Sequence, residues 1–531
     1  MADARIATRK YRESGANMRN NMANGKRQMA KGKCLKAYFY LLTFAIFLLP
    51  FRLILAEERQ PAVAGQFYPA DPAVLGQTVD QYLAKAPSHQ LPGQLIALLV
   101  PHAGYEYSGA LAAEGFKAIP ENYKTFVLVG TAHHVGVKGA ALIAHGTFRT
   151  PLGSVPIDET LAARLLRESS AFEERADAQA AEHSIEVEVP FLQRRFHDFK
   201  IVPVVMNNED PAAMRPVGQA IARAIKGKNI LLVISSDLSH YPPKDIARRA
   251  DQTFLRALER LDSDYLALTA QMLMGRGETG LVTSACGLAA IEAGVTAAAA
   301  LGADRAVLLN YANSGEIVPA TESRTVGYGV VALIKSGLPA RKAFVLDQAS
   351  RTRLLEAARA SIAEGLNGQS YQQGPLAQNR ELNLPAAVFV TLTQEGHLRG
   401  CIGTTVPQSG LWEAVRYFAR EAAFEDPRFR PLETSELPRT HIEISILSAP
   451  ERIPDAGAIV PGKHGVIVQR NGRSGLFLPT VWEQIPDKSD FLSELCAQKA
   501  GLPRDCWKDP AVELQVFTSD VFGEPEPPKG H

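Results

Sequence analysis

Five short runs of Val, Ile and Leu, separated by segments with helical spacing, constrain the fold of this chain more than any other feature. The runs, in order, are "LIALLV", "FVLVG", "IVPVVM", "ILLVISS" and "AVLLNYA". Strands covered on both faces carry continuous apolar runs of this kind, whereas half-exposed strands alternate apolar and polar residues. The segments between the runs, such as "AAMRPVGQAIARAIK", have the spacing of amphipathic helices. The alternation predicts a layered α/β domain around a largely parallel or mixed sheet.

The chain is too long for a single hydrophobic core. It has 531 residues, whereas single cores stop growing at about 250–300 residues. A predicted closing strand at residues 325–337 ends the first pattern, and a second unit begins near Leu346. That unit opens with a long helical segment, continues through a loop rich in Gly, Gln and Pro, and then becomes strand-rich. This order of elements predicts an α+β domain.

The N-terminus, residues 1–56, differs in composition from the rest. Residues 1–36 carry ten Lys or Arg against two acidic residues, and fifteen uncharged, mostly apolar residues follow. A basic segment, a short apolar run and a small residue at Ala56 are typical of a signal peptide, and the run is short for a spanning helix of about 20 residues. We therefore expect an exported, periplasmic protein or one anchored in the inner membrane, or a cytoplasmic one if translation starts at a later methionine.

Net charge and cysteine content exclude several classes of protein. Lys and Arg number 57 against 56 Asp and Glu, a net charge of +1, so no charge excess predicts a nucleic-acid partner. Five scattered cysteines are too few for a disulfide scaffold or a zinc ribbon. Cys496 and Cys506 are close enough in sequence to pair, and free thiols in a core are the alternative.

Side chains that can bind metals cluster at the predicted strand ends and helix starts. In an open α/β sheet the ligand crevice lies outside the carboxyl ends of the strands, so such residues can converge from distant parts of the chain. The residues in these positions are His102, His133, His134, His183, Asp237, His240 and Cys286. Taken singly, a histidine at a strand end is more often a hydrogen-bonded structural residue, and Cys286 can be a small core residue. Together they favour a site.

The residue types in this cluster predict both a metal and proton transfer. Imidazole nitrogen and thiolate suit iron, copper or zinc. Asp237 and His240, three residues apart, suit an acid–base pair or a set of residues that orients the ligands. His183 is a further catalytic candidate, and we expect Tyr105 to line the pocket and donate a hydrogen bond.

Six motifs carry a resemblance to a known family. In order they are "AVAGQFYPADPAVL", "VPHAGYEYSG", "GTAHH", "EHSIEVEVPFLQ", "SSDLSHY" and "ACG". Over residues 60–337 the chain resembles the Memo family, which is similar in fold to LigB-type extradiol dioxygenases that use non-haem iron. The resemblance implies metal ligands at His102, His133 and Cys286, with iron, or alternatively copper, as the metal. Those dioxygenases use a carboxylate as third ligand, so a cysteine favours a metal-binding or redox role over ring cleavage.

The second unit resembles another family, the AMMECR family, over residues 345–525. Its signature "LRGCIG" stands at Leu398–Gly403, followed by "AFEDPRFRPL" and "GLFLPTVWEQ". Cys401, within this signature, is a candidate nucleophile, and a structural turn is at least as good an interpretation because no histidine is paired with it locally. The family resemblance implies no particular reaction.

The two families together suggest partners and three functions. Both are associated with a radical-SAM protein in the AmmeMemoRadiSam system, which implies a separate radical-SAM partner and a small-molecule or peptide substrate. The membrane is expected as a partner only through the N-terminal segment, and nothing indicates a nucleotide cofactor. The leading hypothesis is a metal-dependent redox or oxygenase-like enzyme. The alternatives are a non-catalytic peptide- or ligand-binding module and a modification enzyme that depends on Cys401.

Overall fold

The structure of the protein is a computed structural model that describes residues 58–338, 346–448, 450–470 and 472–525. The predicted signal peptide or anchor, within residues 1–56, lies outside these ranges. No helix in the described ranges is long and apolar enough to cross a membrane. From the sequence we expected contact with a membrane. We withdraw this expectation, because the described residues contain no helix that could span a membrane. The segment that suggested the contact lies outside the described residues.

The apolar runs form the centre of a mixed sheet. The strands of residues 58–338 are β1 (Glu58–Arg59), β2 (Gln94–Val100), β3 (Thr125–Thr131), β4 (Ala140–Leu142), β5 (Thr147–Thr150), β6 (Gly153–Pro156), β7 (Phe172–Glu174), β8 (Lys200–Met206), β9 (Ile230–Ser235), β10 (Arg305–Asn313) and β11 (Gly327–Lys335). Eight of these form one sheet in the order β10-β11-β2-β9-β3-β8-β4-β7, and β1, β5 and β6 form a small second sheet. Strands β2, β9, β3 and β8 are neighbours and pair in parallel. The carboxyl ends of β2, β9 and β3 therefore lie side by side.

Helices cover both faces of this sheet. In the same residue range they are α1 (Pro72–Lys85), α2 (Ala110–Lys117), α3 (Glu159–Glu168), α4 (Asp177–Ala180), α5 (Val189–Arg195), α6 (Pro211–Ile225), α7 (Lys244–Leu258), α8 (Ser263–Gly275), α9 (Leu288–Ala300) and α10 (Ser314–Ile317). Gly294 of α9 packs on Ile234, which pairs in register with Leu99, whereas Gly115 of α2 packs on Val100. Successive residues of a strand point to opposite faces, so α9 and α2 lie on opposite faces. The layered α/β fold predicted from the sequence is confirmed.

The second part of the chain combines helices with antiparallel sheets. Its strands are β12 (Ala387–Gln394), β13 (His397–Gly403), β14 (His441–Leu447), β15 (Glu451–Ile453), β16 (Gly465–Arg470), β17 (Arg473–Phe477), β18 (Glu513–Phe517) and β19 (Ser519–Gly523), and its helices are α11 (Gln348–Leu366), α12 (Leu411–Phe424) and α13 (Lys488–Glu494). Two four-stranded sheets have the orders β13-β12-β14-β19 and β15-β18-β16-β17. Helix α12 packs on β12 and β13. This arrangement is the predicted α+β fold.

A disulfide bond lies in the apolar cluster that packs against the second of these sheets. Cys496 and Cys506 are bonded, and both lie in the buried apolar cluster that includes Phe477, Trp482 and Phe491. Of the two alternatives that the sequence left open, the structure therefore has the paired cysteines. Cys286 and Cys401 are free thiols.

The two parts of the chain pack directly against each other. Leu376 and Leu384 belong to the apolar core of the first part. The Tyr265 hydroxyl donates a hydrogen bond to the Pro385 carbonyl over 2.8 Å, and Arg256 forms an ion pair with Glu381. Helices α7 and α8 thus carry contacts to the segment that precedes β12.

Candidate metal centre

His102 lies buried at the carboxyl end of β2, with both ring nitrogens in contact with side chains of other elements. Its Nδ1 atom lies 2.9 Å from the Ser235 hydroxyl, and its Nε2 atom lies 3.1 Å from Cys286 Sγ. The Ser235 hydroxyl donates its proton to the Ser184 carbonyl or to the Glu188 carboxyl group, so it accepts from Nδ1–H. Nε2 therefore carries the lone pair, directed at Cys286.

The electrostatic surroundings keep the His102 ring neutral. Burial, and then the positive charges that His183, His133 and His240 would carry, lower its pKa well below the usual value. Only the neutral ring can donate a lone pair to a metal. The ring is thus ready to act as a ligand.

Cys286 reaches the strand ends because the next residue is a glycine. A Cβ atom at Gly287 would lie 2.7 Å from Ser236 Oγ and 2.9 Å from Thr131 Oγ1, closer than ordinary contacts allow. The Gly287 amide also donates to Ser236 Oγ over 2.9 Å. This close approach places the start of α9 against β9 and β3. Burial, followed by the nearby Asp237 charge, raises the pKa of the Cys286 thiol above its usual value.

His133 is oriented by a carboxylate on a different element. Glu182 Oε1 lies 2.8 Å from His133 Nδ1, and its Oε2 accepts the His133 backbone amide over 2.6 Å. Because a carboxylate only accepts, Nδ1 carries the ring proton and Nε2 carries the lone pair. Burial alone would raise the pKa of Glu182, but the His133 ring and the amides of Ser184 and His133 lower it to about 2. Glu182 is therefore ionised and holds the ring in one orientation.

The cluster extends beyond three residues. Donor atoms of His102, His133 and Cys286 all lie within 4.8 Å of one another. Two further groups meet the same limit and overlap with it: His133, Glu182 and His183, and Asp237, His240 and Cys286. The His183 ring stacks on the His133 ring at 4.5 Å. Burial, followed by the positive charge that a protonated His133 would carry, lowers the pKa of His183 to about 4.

Asp237 and His240 lie next to the cysteine. The Asp237 carboxylate accepts the His102 amide over 2.8 Å, and burial, partly opposed by the amides of His102 and Ala103, raises its pKa to about 7. His240 Nδ1 lies 2.9 Å from the Leu238 carbonyl, which can only accept, so its Nε2 carries the lone pair. The two residues predicted as an acid–base pair thus lie within 4.8 Å of Cys286 and of each other, measured between donor atoms.

The remaining predicted residues are not part of this cluster of donor atoms. The Tyr105 hydroxyl donates to the Val187 carbonyl over 2.7 Å, and its ring packs against Tyr68 and Phe191. Cys401 lies on β13 in the other part of the chain. Its thiol lies 3.3 Å from the Thr391 hydroxyl, and its amide donates to Asp426 over 2.9 Å. Its hydrogen-bond partners in the described ranges include no histidine.

Sequence reasoning missed three residues that support the cluster. Glu182 orients His133, Ser235 orients His102, and the buried carboxyl group of Glu188 lies 2.9 Å from the Ser235 hydroxyl. Each of the first two lies close in sequence to a residue that was predicted: Glu182 comes one position before His183, and Ser235 comes two positions before Asp237. That adjacency was the available signal, but their partners lie 49 and 133 residues away in sequence.

Two family profiles match consecutive parts of the chain. Residues 59–332 match the family described as Memo-like protein, and residues 355–522 match the family described as AMMECR1. Among curated relatives, a MEMO1 family protein from Methanopyrus kandleri is 35% identical over 291 residues, covering 52% of this chain and 98% of the relative. A MEMO1 family protein from Methanosarcina barkeri is 37% identical over 276 residues, covering 51% and 98%.

Solved structures give weaker similarity. An uncharacterized protein from Pyrococcus horikoshii shares 36% identity, covers 33% of this chain and 90% of its own, and has a TM-score of 0.31. An uncharacterized protein from Escherichia coli K12 shares 15% identity and has a TM-score of 0.33; the match covers 45% of this chain and 99% of that protein. Both scores are too low to support an argument about this chain.

The family assignment rests on the sequence matches. They cover more than half of the chain with the first profile and nearly the full length of the relatives. Neither the structure nor these matches show the radical-SAM partner or the substrate expected from the sequence, and we withdraw that partner together with the membrane contact. The chain belongs to the Memo family and joins its Memo-like domain to an AMMECR1 domain.

Proposed function

We propose that the Memo-like domain, placed at residues 60–337, binds a redox-active metal through His102, His133 and Cys286 and acts as an oxidoreductase or oxygenase-like protein. Iron is the proposed metal and copper the alternative. The observation that carries the proposal is the convergence of three donor atoms from three distant segments to within 4.8 Å.

The donor set fits such a metal. Ser235 and Glu182 contact the Nδ1 atoms of His102 and His133, so the Nε2 atom of each neutral ring carries the lone pair. Metal-binding histidines commonly donate their second nitrogen to a partner of this kind. Two imidazoles and one thiol suit iron, copper or zinc, whereas magnesium and calcium prefer oxygen ligands.

The residues around the donors suit proton handling. An iron or copper ion held there would supply one-electron chemistry. Asp237, whose pKa burial raises to about 7, can exchange a proton near neutral pH. His240 presents an unprotonated Nε2 and is held by the Leu238 carbonyl. His102 and Asp237 are 1% and 4% exposed, so water has little access to the inner side of the cluster.

Metal analysis of the purified chain tests the proposal. After anaerobic reconstitution with iron or copper, we expect one metal per chain in the wild type and in His145→Ala, a matched control whose ring is mostly exposed. We expect His102→Ala to lose the metal. Absence of both metals from the wild type, or equal loading of His102→Ala, would refute the metal site. If the wild type binds one metal per chain but the metal does not change oxidation state on addition of dioxygen or peroxide, the result would support the non-catalytic binding module instead.

A second candidate function concerns Cys401. The Thr391 hydroxyl lies 3.3 Å from its thiol, and the Arg428 guanidinium donates to the Cys401 carbonyl over 3.1 Å. These contacts place a hydroxyl beside the thiol and a guanidinium on the same residue, which supports a Cys401-dependent modification enzyme. Alkylation of Cys401 no faster than that of a cysteine in an unstructured peptide would reject this role.

The disulfide supports the predicted export. Disulfide bonds persist in oxidising compartments and are rare in the cytosol, and Cys496 and Cys506 are bonded. We propose that the chain functions outside the cytoplasm. Alkylation of free thiols in intact cells, followed by mass spectrometry, should leave both cysteines unmodified. Full alkylation of both would contradict the proposal.

A further inference from the structure

Arg59, in the short strand β1, is a buried arginine that reaches the loop carrying Glu182. It is 7% exposed. Its Nε atom donates to the Gln179 carbonyl over 3.0 Å, and its Nη2 atom donates to the Glu182 carbonyl. The guanidinium also lies 4.5 Å from the centroid of the Phe148 ring. Arg59 therefore holds the backbone of the residue whose carboxylate orients His133.

Glu186 holds Arg59 in this position. Its Oε2 atom forms an ion pair with Arg59 Nη1 and accepts the Ala62 amide over 2.7 Å. Its Oε1 atom accepts the Val63 amide over 3.0 Å and the Tyr68 hydroxyl over 2.5 Å. The Glu186 side chain is completely buried. One buried carboxylate thus ties β1 and the residues that follow it to the turn before α5.

Net stabilisation alone does not account for this buried ion pair. Taking two charges out of water costs about as much free energy as their attraction returns, so such a pair contributes little to the free energy of unfolding. The rigid, planar guanidinium of arginine does fix several acceptors at set positions. Arg59 uses it in that way, since its three nitrogen atoms contact Gln179, Glu186 and Glu182.

We propose that Arg59 is a positioning residue of the metal centre, which acts through Glu182 to fix the orientation and the protonated nitrogen of His133. The importance of this role for metal binding rests on the function proposed above. A second contact of the same segment supports it. The Phe67 ring lies 4.7 Å from the His183 ring, measured between centroids, and the His183 ring stacks on that of His133. The segment that begins with β1 therefore contacts the cluster at two points.

Chelator competition for copper, on the full chain, measures the effect on metal affinity. Arg59→Met removes the three donors and should lower the affinity by about tenfold, as expected when the partner that orients a ligand is disturbed. In a Glu182→Gln background the same substitution should lower it by less than about threefold, because residues that act through one contact are not additive.

Arg256→Met is the matched control. Arg256 is also a buried arginine in an ion pair with a glutamate, so its loss should reduce the free energy of unfolding but leave the copper affinity unchanged. An equal loss of affinity in Arg256→Met would overturn the proposal. So would an undiminished effect of Arg59→Met in the Glu182→Gln background.

Nitrogen-15 NMR of the histidine rings in the metal-free chain separates this proposal from the metal site itself. With the His133 signals assigned from His133→Asn, the wild type should show the proton on Nδ1, and Arg59→Met should show a mixture of the two tautomers. This result would support the role of Arg59 even if the wild type bound no metal, which would refute only the proposed function. An unchanged tautomer in Arg59→Met would overturn the positioning role.

A second variant protects the test against a folding defect in Arg59→Met. The ammonium of Arg59→Lys can keep the ion pair with Glu186 but lacks the planar fork that reaches both carbonyl groups. We expect this variant to unfold at nearly the temperature of the wild type and still to show mixed His133 tautomers and a lowered copper affinity. The wild-type tautomer together with the wild-type affinity in Arg59→Lys would overturn the proposal.

Discussion

The Nε2 atom of His102 lies 3.1 Å from the Sγ atom of Cys286, although 184 residues separate them in the chain. His102 follows β2, and Cys286 precedes α9, which packs on the opposite face of the sheet from α2. Gly287 allows the start of α9 to approach the ends of β9 and β3. The pairing therefore depends on how one helix packs on the sheet.

Replacing Cys286 by serine should weaken iron or copper binding by at least about tenfold, because a hydroxyl is a far poorer soft ligand than a thiolate. The measurement is a competition titration with a chelator of known affinity. In the copper-loaded protein, the sulfur-to-metal absorption band should also disappear. Cys401→Ser, a substitution of the other free cysteine, should change neither quantity. A retained band in Cys286→Ser would assign the sulfur ligand elsewhere.

Replacing Ser235 by alanine should lower metal affinity by about 10–100-fold without removing a ligand. The Ser235 hydroxyl lies 2.9 Å from His102 Nδ1 and fixes which nitrogen carries the proton. The same chelator competition measures the change, and thermal unfolding of the metal-free protein shows whether the fold is intact. Ser239→Ala, a buried serine of the next loop, serves as control. Equal affinity in Ser235→Ala and Ser239→Ala would show that the hydroxyl does not position His102.

The stability of the chain should depend on pH through Glu292, a buried residue of α9 whose carboxyl oxygens make no hydrogen bond with the described residues. The native pKa is raised to about 8 from the usual 4.5, so between these values the folded chain binds more protons than the unfolded chain. The free energy of unfolding contributed by this group therefore falls as pH rises through that window. Glu292→Gln should remove this part of the slope and be more stable than the wild type at pH 9 by about 1–4 kcal/mol.

Urea unfolding of both proteins at pH 5, 7 and 9 checks that prediction. The informative quantity is the difference in the free energy of unfolding between the two proteins at each pH. The wild type alone is not sufficient, because burial also raises the pKa values of Asp237 and Asp251 to about 7. Parallel pH profiles would show that Glu292 is solvated and would remove the basis for a buried carboxyl group there.

Loss of the disulfide should destabilise the sheet formed by β15 to β18. Closing a loop of this size restricts the unfolded chain and contributes about 2–3 kcal/mol. Cys496→Ala combined with Cys506→Ala, measured by urea unfolding, should show this loss, and a reducing agent should destabilise the wild type by a similar amount. The double variant should be insensitive to the reducing agent. A wild type that is equally insensitive would contradict the bond.

The sequence predicted the class of fold because continuous apolar runs and helical spacing are local properties. The runs correspond to β2, β3, β8, β9 and β10, and the polar residues that follow them do lie at one edge of the sheet. Strand order was not predictable, since it depends on which strands pair across the sheet. The order β2-β9-β3 is what places His102, Asp237 and His133 side by side.

The sequence by itself determined the classes of side chain at the strand ends and the division into an α/β and an α+β part, because these follow from composition and period along the chain. Only the tertiary structure decided that Glu182 and Ser235 orient the two histidines and that Cys496 pairs with Cys506. It also decided that Glu292 is buried without a partner. Hydrogen bonds and burial depend on distances across the fold, and residues far apart in the chain carry no local mark of the contact they will make.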